Sequence, residues 1–110
     1  ELKLKANSLH GIFANASLFH APTSILPRIL DILYGSLKPG GVLFSSNPLG
    51  KDQEGMYNGR YASFHSLQKW RTYMLNAGFH EHSHYYRPPN IDRALQNWLA
   101  SLWIKERQEA

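Results

Sequence analysis

The sequence predicts an α/β fold built on a parallel β-α-β core, and three observations carry that reading. The run "LHGIFANAS" at 9–17 is mostly apolar on both faces, with Ile12 and Phe13 at its centre, as suits a buried parallel strand. "HAPTSILPRILDILYGSLKPGG" then reads as one amphipathic helix over about 24–38. "VLFSSN" at 42–47 is a second short apolar run and reads as the next buried strand. A strand, a helix and a strand in this order imply a parallel pair joined by a crossover.

Each element has its own grounds. Ile25, Ile29, Leu33 and Leu37 recur at helical spacing, and Leu26 and Leu30 widen the apolar face. Thr23 or Ser24 is placed to cap the helix, and Pro27 falls in the first turn, where a missing N–H costs little. Lys38-Pro39-Gly40-Gly41 ends it, since proline cannot extend the helix and the glycines allow a tight reversal. Residues 48–62 read as a polar, glycine-containing loop longer than most connections, either covering a site or making a surface excursion. Ser63 or Ser66 then caps a second helix over about 64–77, with Leu67, Trp70, Met74 and Ala77 on one face. Asn76-Ala77-Gly78 stops that helix, and a strand at 80–87 runs to two prolines. Residues 91–106 fit two periods. Ile91, Leu95, Trp98 and Leu102 form a helical face, while Trp98, Ala100, Leu102 and Ile104 alternate with Leu99, Ser101 and Trp103 as in a strand. "LKLK" at 2–5 alternates as a short exposed strand or forms a loose arm.

The chain has 110 residues, a single-domain length, and its 43% hydrophobic and 18% charged content is that of a globular protein. No apolar run of roughly 18 residues argues for a membrane span. "ELKLKANS" lacks the apolar core of an export signal, and a cytoplasmic location is expected. The absence of cysteine excludes disulfides, thiolate catalysis and cysteine zinc sites. Twelve Lys and Arg against eight Asp and Glu give a net charge of +4, but the bases are scattered. Nucleic-acid binding needs a concentrated basic stripe, so it is the distant alternative.

Ligands in parallel sheets sit beyond the carboxyl ends of the strands. Those ends place Asn15, Ser17, His20, Ser46 and Asn47 as the polar groups facing a site. The same residue types also cap turns and helices at strand ends, which is the commoner use. His80, His82 and His84 alternate on one strand, so three imidazoles would share a face and make a weak zinc candidate, with Glu81 on the other face. A hydrated outer sheet face is the simpler reading, and no metal is expected. His65 reads as a surface or cap residue, and Trp70, Trp98 and Trp103 as core.

The order of these segments resembles a known family. "HGIFANASLFHAP" followed by "LPRILDILYGSLKPGGVLFSSNP" looks like the fourth-strand to fifth-strand region of class I S-adenosylmethionine (SAM)-dependent methyltransferases of the small-molecule type, whose pattern runs "DGIWANASLLHVP…LKPGGVLY". "SFHSLQKWRTYMLNAGF" resembles the next helix of that family, and "HSHYYRP…NWLASLWIK" its closing antiparallel strand pair. The resemblance covers about residues 8–107. It implies that 97–105 is a strand inserted antiparallel between 42–47 and 80–87, with 89–96 a loop holding at most one helical turn. The chain departs from the pattern at His10, where the family usually has Asp before Gly.

The resemblance also implies a truncated Rossmann-like methyltransferase fold, because the glycine-rich loop and ribose-binding acid that hold SAM in the family have no counterpart here. No G-x-G-x-x-G-like sequence follows a strand. The expected function is a methyltransferase-like protein that is catalytically incomplete by itself and acts as a small binding or interaction module. The alternative is SAM-dependent methylation of a small molecule by a longer chain, or with a partner that supplies the glycine-loop half. No cofactor is expected for the chain alone, and SAM if it is completed. Strand 9–17 is then an apolar edge, expected to pair with its copy in a homodimer unless "LKLK" folds back over it with its lysines as protection.

Overall fold

The computed structural model describes residues 5–15 and 17–106. In chain order these form β1 (Leu9–Asn15), a 3-10 turn (Leu18–His20), α1 (Leu26–Ser36), β2 (Leu37–Pro48), β3 (Gln53–Tyr57) and β4 (Arg60–Phe64). They continue with α2 (Leu67–Asn76), β5 (His80–Arg87), a second 3-10 turn (Arg93–Leu95) and β6 (Trp98–Ile104). The main sheet has the order β1-β2-β6-β5, with β1 parallel to β2 and β6 antiparallel to both its neighbours. The mixed α/β architecture and the inserted last strand are as expected from sequence. The helical period at 91–106 loses to pairing: as a strand between two others, β6 buries Leu99, Ala100, Ser101 and Trp103 and uses its backbone groups in both ladders.

Strand alternation gives the sheet two unlike faces. On one, Ile12, Leu43, Leu99 and Trp103 meet Leu26, Leu30 and Leu33 of α1 and Trp70 and Met74 of α2. A polar chain is sealed within that layer. The Trp70 indole N–H donates to Ser45 Oγ (3.2 Å), Ser45 shares a hydrogen bond with Ser101 (3.1 Å), and Trp103 Nε1 donates to Ser101 (2.8 Å). On the other face lie Phe13, Val42, Phe44, Leu102 and Ile104, with no helix over them among the described residues. Phe13 is 71% exposed and stacks on Phe44 at 4.6 Å between ring centroids. β1 is therefore not buried on both faces as its composition suggests. The second edge of β1 also carries no pairing among the described residues.

Several boundaries move for local reasons. α1 ends at Ser36 rather than 38, because Lys38 precedes Pro39 and Leu37 is already extended, pairing with Leu9. Neither Thr23 nor Ser24 caps it. Ile25 holds that position, the Pro22 carbonyl takes the N–H groups of Ile25 and Leu26, and Pro27 has none to satisfy. Thr23 instead gives both its N–H and its hydroxyl to the Glu54 carboxylate. The buried stripe of α1 runs through Leu26, Leu30 and Leu33, leaving Ile25 exposed. At α2 it is Ser66 that caps, accepting from Lys69 N–H.

The "KPGG" turn is held from the far end of the chain. Gly40 N–H donates to the Lys105 carbonyl and Lys105 N–H to that of Gly41. Any side chain at Gly41 would meet the Lys38 carbonyl at 2.8 Å. The Lys105 ammonium donates to the Tyr34 and Leu37 carbonyls and to Asn7 Oδ1, closing the C-terminal end of α1, where a cation is favoured.

Residues 48–62 are not a plain loop. β3 and β4 pair as a hairpin turning at Asn58-Gly59, both at positive φ (51° and 78°). That is the twist a two-residue hairpin requires, and Asn-Gly adopts it readily. The hairpin packs its β4 side against the 3-10 turn that follows β1. Residues 2–4 of the "LKLK" stretch lie outside the described residues.

Candidate functional site

The parallel register sets Asn15 directly beside Ser46 at the carboxyl ends of β1 and β2. Both lie on the sheet face without helices, and there they form the floor of a cleft of about 400 Å³. Arg87, Pro88 and Pro89 wall it at the end of β5, and Trp98 at the start of β6. Trp98 is steadied by Phe19, edge-on at 6.1 Å. Ser46 is almost buried, Asn15 is exposed, and the opening lies at the end of the sheet where α/β folds present their ligands.

The other three predicted residues are placed elsewhere. Asn47 points to the opposite, helix-covered face, is 1% exposed, and has neither amide atom hydrogen-bonded. His20 is turned to the hairpin: its Nδ1–H donates to the Tyr61 carbonyl at 2.9 Å and its ring packs on Phe19. Ser17 is exposed ahead of the 3-10 turn and makes no capping bond. Of five predicted residues, the fold thus brings together Asn15 and Ser46.

The three histidines of β5 do not share a face. A register shift between Glu81 and Ser83 breaks the alternation. His84 consequently lies with Glu81, 2.7 Å from its carboxylate, while His80 pairs with Glu106 and His82 with Ser83. Glu81 is also gripped by Arg71 of α2 at 2.8 Å, which holds its carboxyl below the ordinary carboxylate value, with His84 adding to the effect. No group of three potential metal ligands occurs among the described residues.

His65 corrects the reading of a surface residue. It is 1% exposed, wedged between Trp70 and Tyr73. The Ser63 hydroxyl lies 3.1 and 3.3 Å from the Phe19 and Ala21 carbonyls, so its proton points to them and its oxygen accepts from His65 Nε2–H at 3.0 Å. Burial lowers the His65 pKa and keeps the ring neutral. This knot joins the hairpin to the chain following β1 and so braces the end of the sheet that bears the cleft.

Sequence reasoning missed Arg87 and Trp98. Arg87 stands just before Pro88-Pro89, which announces a strand end, and Trp98 reads as core, whereas the structure sets it in the cleft wall. Only the placement of β6 between β2 and β5 puts both beside Ser46.

No protein-family model matches the chain, and no curated protein matches its sequence. Solved structures do match. The Burkholderia thailandensis 1,6-didemethyltoxoflavin-N1-methyltransferase, with 1,6-didemethyltoxoflavin and S-adenosylhomocysteine bound, has a TM-score of 0.79 at 17% identity. The match covers 96% of this chain and 47% of that one. The fold is the Rossmann-like methyltransferase fold. A methyltransferase from Haloferax volcanii in complex with the Trm112 methyltransferase activator matches over all of this chain and 59% of its own, with a TM-score of 0.77 at 13% identity. The [4+2]-cyclase SpnF has a TM-score of 0.75 at 15% identity over 98% of this chain and 53% of its own. The chain thus spans about half the length of the structures it matches. A cyclase among them is a reminder that this methyltransferase fold carries more than one chemistry.

Proposed function

We propose that this chain is the acceptor-binding part of a SAM-dependent methyltransferase acting on a small molecule. The single observation that carries the reading is the cleft at the carboxyl ends of β1 and β2, where Asn15 and Ser46 sit side by side in a methyltransferase fold. Methyl transfer needs the acceptor atom held in line with the donor methyl, so the contribution of such a wall is positioning. Asn15 and Ser46 supply hydrogen bonds that orient the acceptor, and Trp98 and the two prolines exclude water from its apolar side.

The described residues do not fit SAM itself. No glycine-rich turn follows β1 or β2, and no acidic residue lines the cleft. Glu54 is committed to Thr23 and Tyr61, and Asp52 to Ser66. The cofactor is therefore held by polypeptide outside this set, in the same chain or in a partner, and the 110 residues alone serve as a binding module. Calorimetric titration with S-adenosylhomocysteine tests this. We expect no micromolar binding by the 110-residue chain, and binding once a glycine-loop segment is supplied upstream or in trans. Micromolar affinity of the chain alone would refute the division of labour; absence of binding in every completed form would refute the methyltransferase reading.

The edge of β1 that is unpaired among the described residues is proposed to pair with a second copy in the absence of that segment, and light scattering at micromolar concentration should return a dimer mass. A monomer mass there would refute the pairing.

A further inference from the structure

We infer that the cleft between Asn15, Ser46, Arg87 and Trp98 selects a small organic anion with a planar apolar body. The inference rests on the acceptor-binding reading above and names the class of compound that the site takes.

Arg87 carries the argument. It is the one charged residue lining the cleft, and its guanidinium makes no hydrogen bond, ion pair or ring contact among the described residues. Two other arginines are engaged: Arg71 forks onto Glu81, and Arg93 lies 3.4 Å over the Tyr86 ring and donates to the Gln96 carbonyl. An unengaged guanidinium at the mouth of a cavity offers planar, paired donors that suit a carboxylate or phosphate. No acidic side chain lines the same cavity to neutralise it, so the field inside favours an anion and opposes a cation.

The remaining walls define the rest of the ligand. Pro88 and Pro89 have no N–H and present ring carbons, while Trp98 offers an indole surface already oriented by Phe19. These suit a flat hydrocarbon or heteroaromatic body. Ser46 and Asn15, on the floor, provide one hydroxyl and one amide for a polar substituent opposite the anionic group. A volume of about 400 Å³ admits a one- or two-ring compound and is at the small end of ligand sites.

The test uses 1-naphthoate and its neutral isostere 1-naphthamide as probes, with acetate as a charge-only control. Binding is followed by chemical-shift changes in the nitrogen-15 spectrum of the 110-residue chain, which reports the Trp98 indole N–H directly. We expect 1-naphthoate to shift the Trp98 signal saturably and to bind about tenfold or more tightly than 1-naphthamide. We expect Arg87→Gln to remove that difference while leaving spectral dispersion intact, since the Arg87 side chain is exposed and unpartnered among the described residues, and acetate to bind weakly or not at all. Equal binding of the two naphthyl probes, no saturable shift with either, or an unchanged preference in Arg87→Gln would overturn the inference. These outcomes are independent of the S-adenosylhomocysteine titration. A chain that binds the cofactor when completed but shows no anion preference keeps its function and loses this substrate class.

Discussion

The two faces of the sheet differ in what completes them. The helix-covered face closes on itself: Leu26, Leu30, Trp70 and Met74 bury Leu43, Leu99 and Trp103, and even the hydroxyls of Ser45 and Ser101 are taken up by indole N–H groups. The other face leaves Phe13 exposed, stacked on the half-buried Phe44, and the Arg87 guanidinium without a partner among the described residues. One side of the same four strands is thus a packed core, with Asn47 its unsatisfied side chain, and the other is an open face. The packing that holds the fold together is on the first, and the proposed binding cleft is on the second.

The largest test of that division is on the covered face. Trp103→Ala should cost about 3–5 kcal/mol and abolish a cooperative urea transition, because nothing nearby can fill the volume. Ser45→Ala should cost about 1–3 kcal/mol in the same measurement, since it strands the buried Trp70 N–H. Phe13→Ser, equally drastic in chemistry but on the open face, should change stability by less than about 0.5 kcal/mol. A loss at Phe13 equal to that at Trp103 would dissolve the contrast between the faces.

Acid should act first through the buried histidine. Burial holds the His65 pKa below its ordinary value of about 6.5, so between those two values the unfolded chain binds a proton that the folded chain does not. Stability is therefore complete above about pH 6.5 and falls as pH drops below it. Thermal melts at pH 7.5 and 5.5 should show the decrease, and His65→Gln should flatten it. Glu54 and Glu81 have depressed values for other reasons, hydrogen bonds from Thr23 and Arg71 first among them. Their share is lost only at still lower pH, below the ordinary carboxylate value. A gain in stability is expected at Asn47, whose amide is buried with no hydrogen bond among the described residues. Asn47→Leu should raise the midpoint of urea unfolding by an equivalent of about 1 kcal/mol, as an unsatisfied polar group is replaced by an apolar one.

How far the sequence could be read follows the range of the interactions. α1, α2, β5 and the Ser66 cap are written in local spacing, and all lie within a few residues of where that spacing places them. The hairpin was equally local, because Asn58-Gly59 is a strong turn signal, yet polar flanks such as "KDQEG" mask its strands. β6 is the opposite case. Its own residues fit helix and strand alike, and only its neighbours β2 and β5 decide. At the candidate site, Asn15 and Ser46 were readable as strand-end polar groups. Asn47 was not separable from Ser46 until the pleat assigned them to opposite faces. Arg87 and Trp98 come together through the sheet order, which no short stretch of sequence encodes. His65 and the shifted register at His82 likewise depend on packing across the fold.

The position of β6 has a consequence for how the chain acquires its structure. It is the last strand among the described residues and lies inside the sheet, between β2 and β5. During synthesis β2 and β5 must each wait with an unpaired edge until it arrives, and Lys105 cannot fasten the end of α1 before then. Contacts this distant in sequence form slowly and leave apolar edges exposed in the interval. A nascent chain should stay protease-sensitive until β6 has cleared the ribosome, and then become resistant in a single step rather than strand by strand.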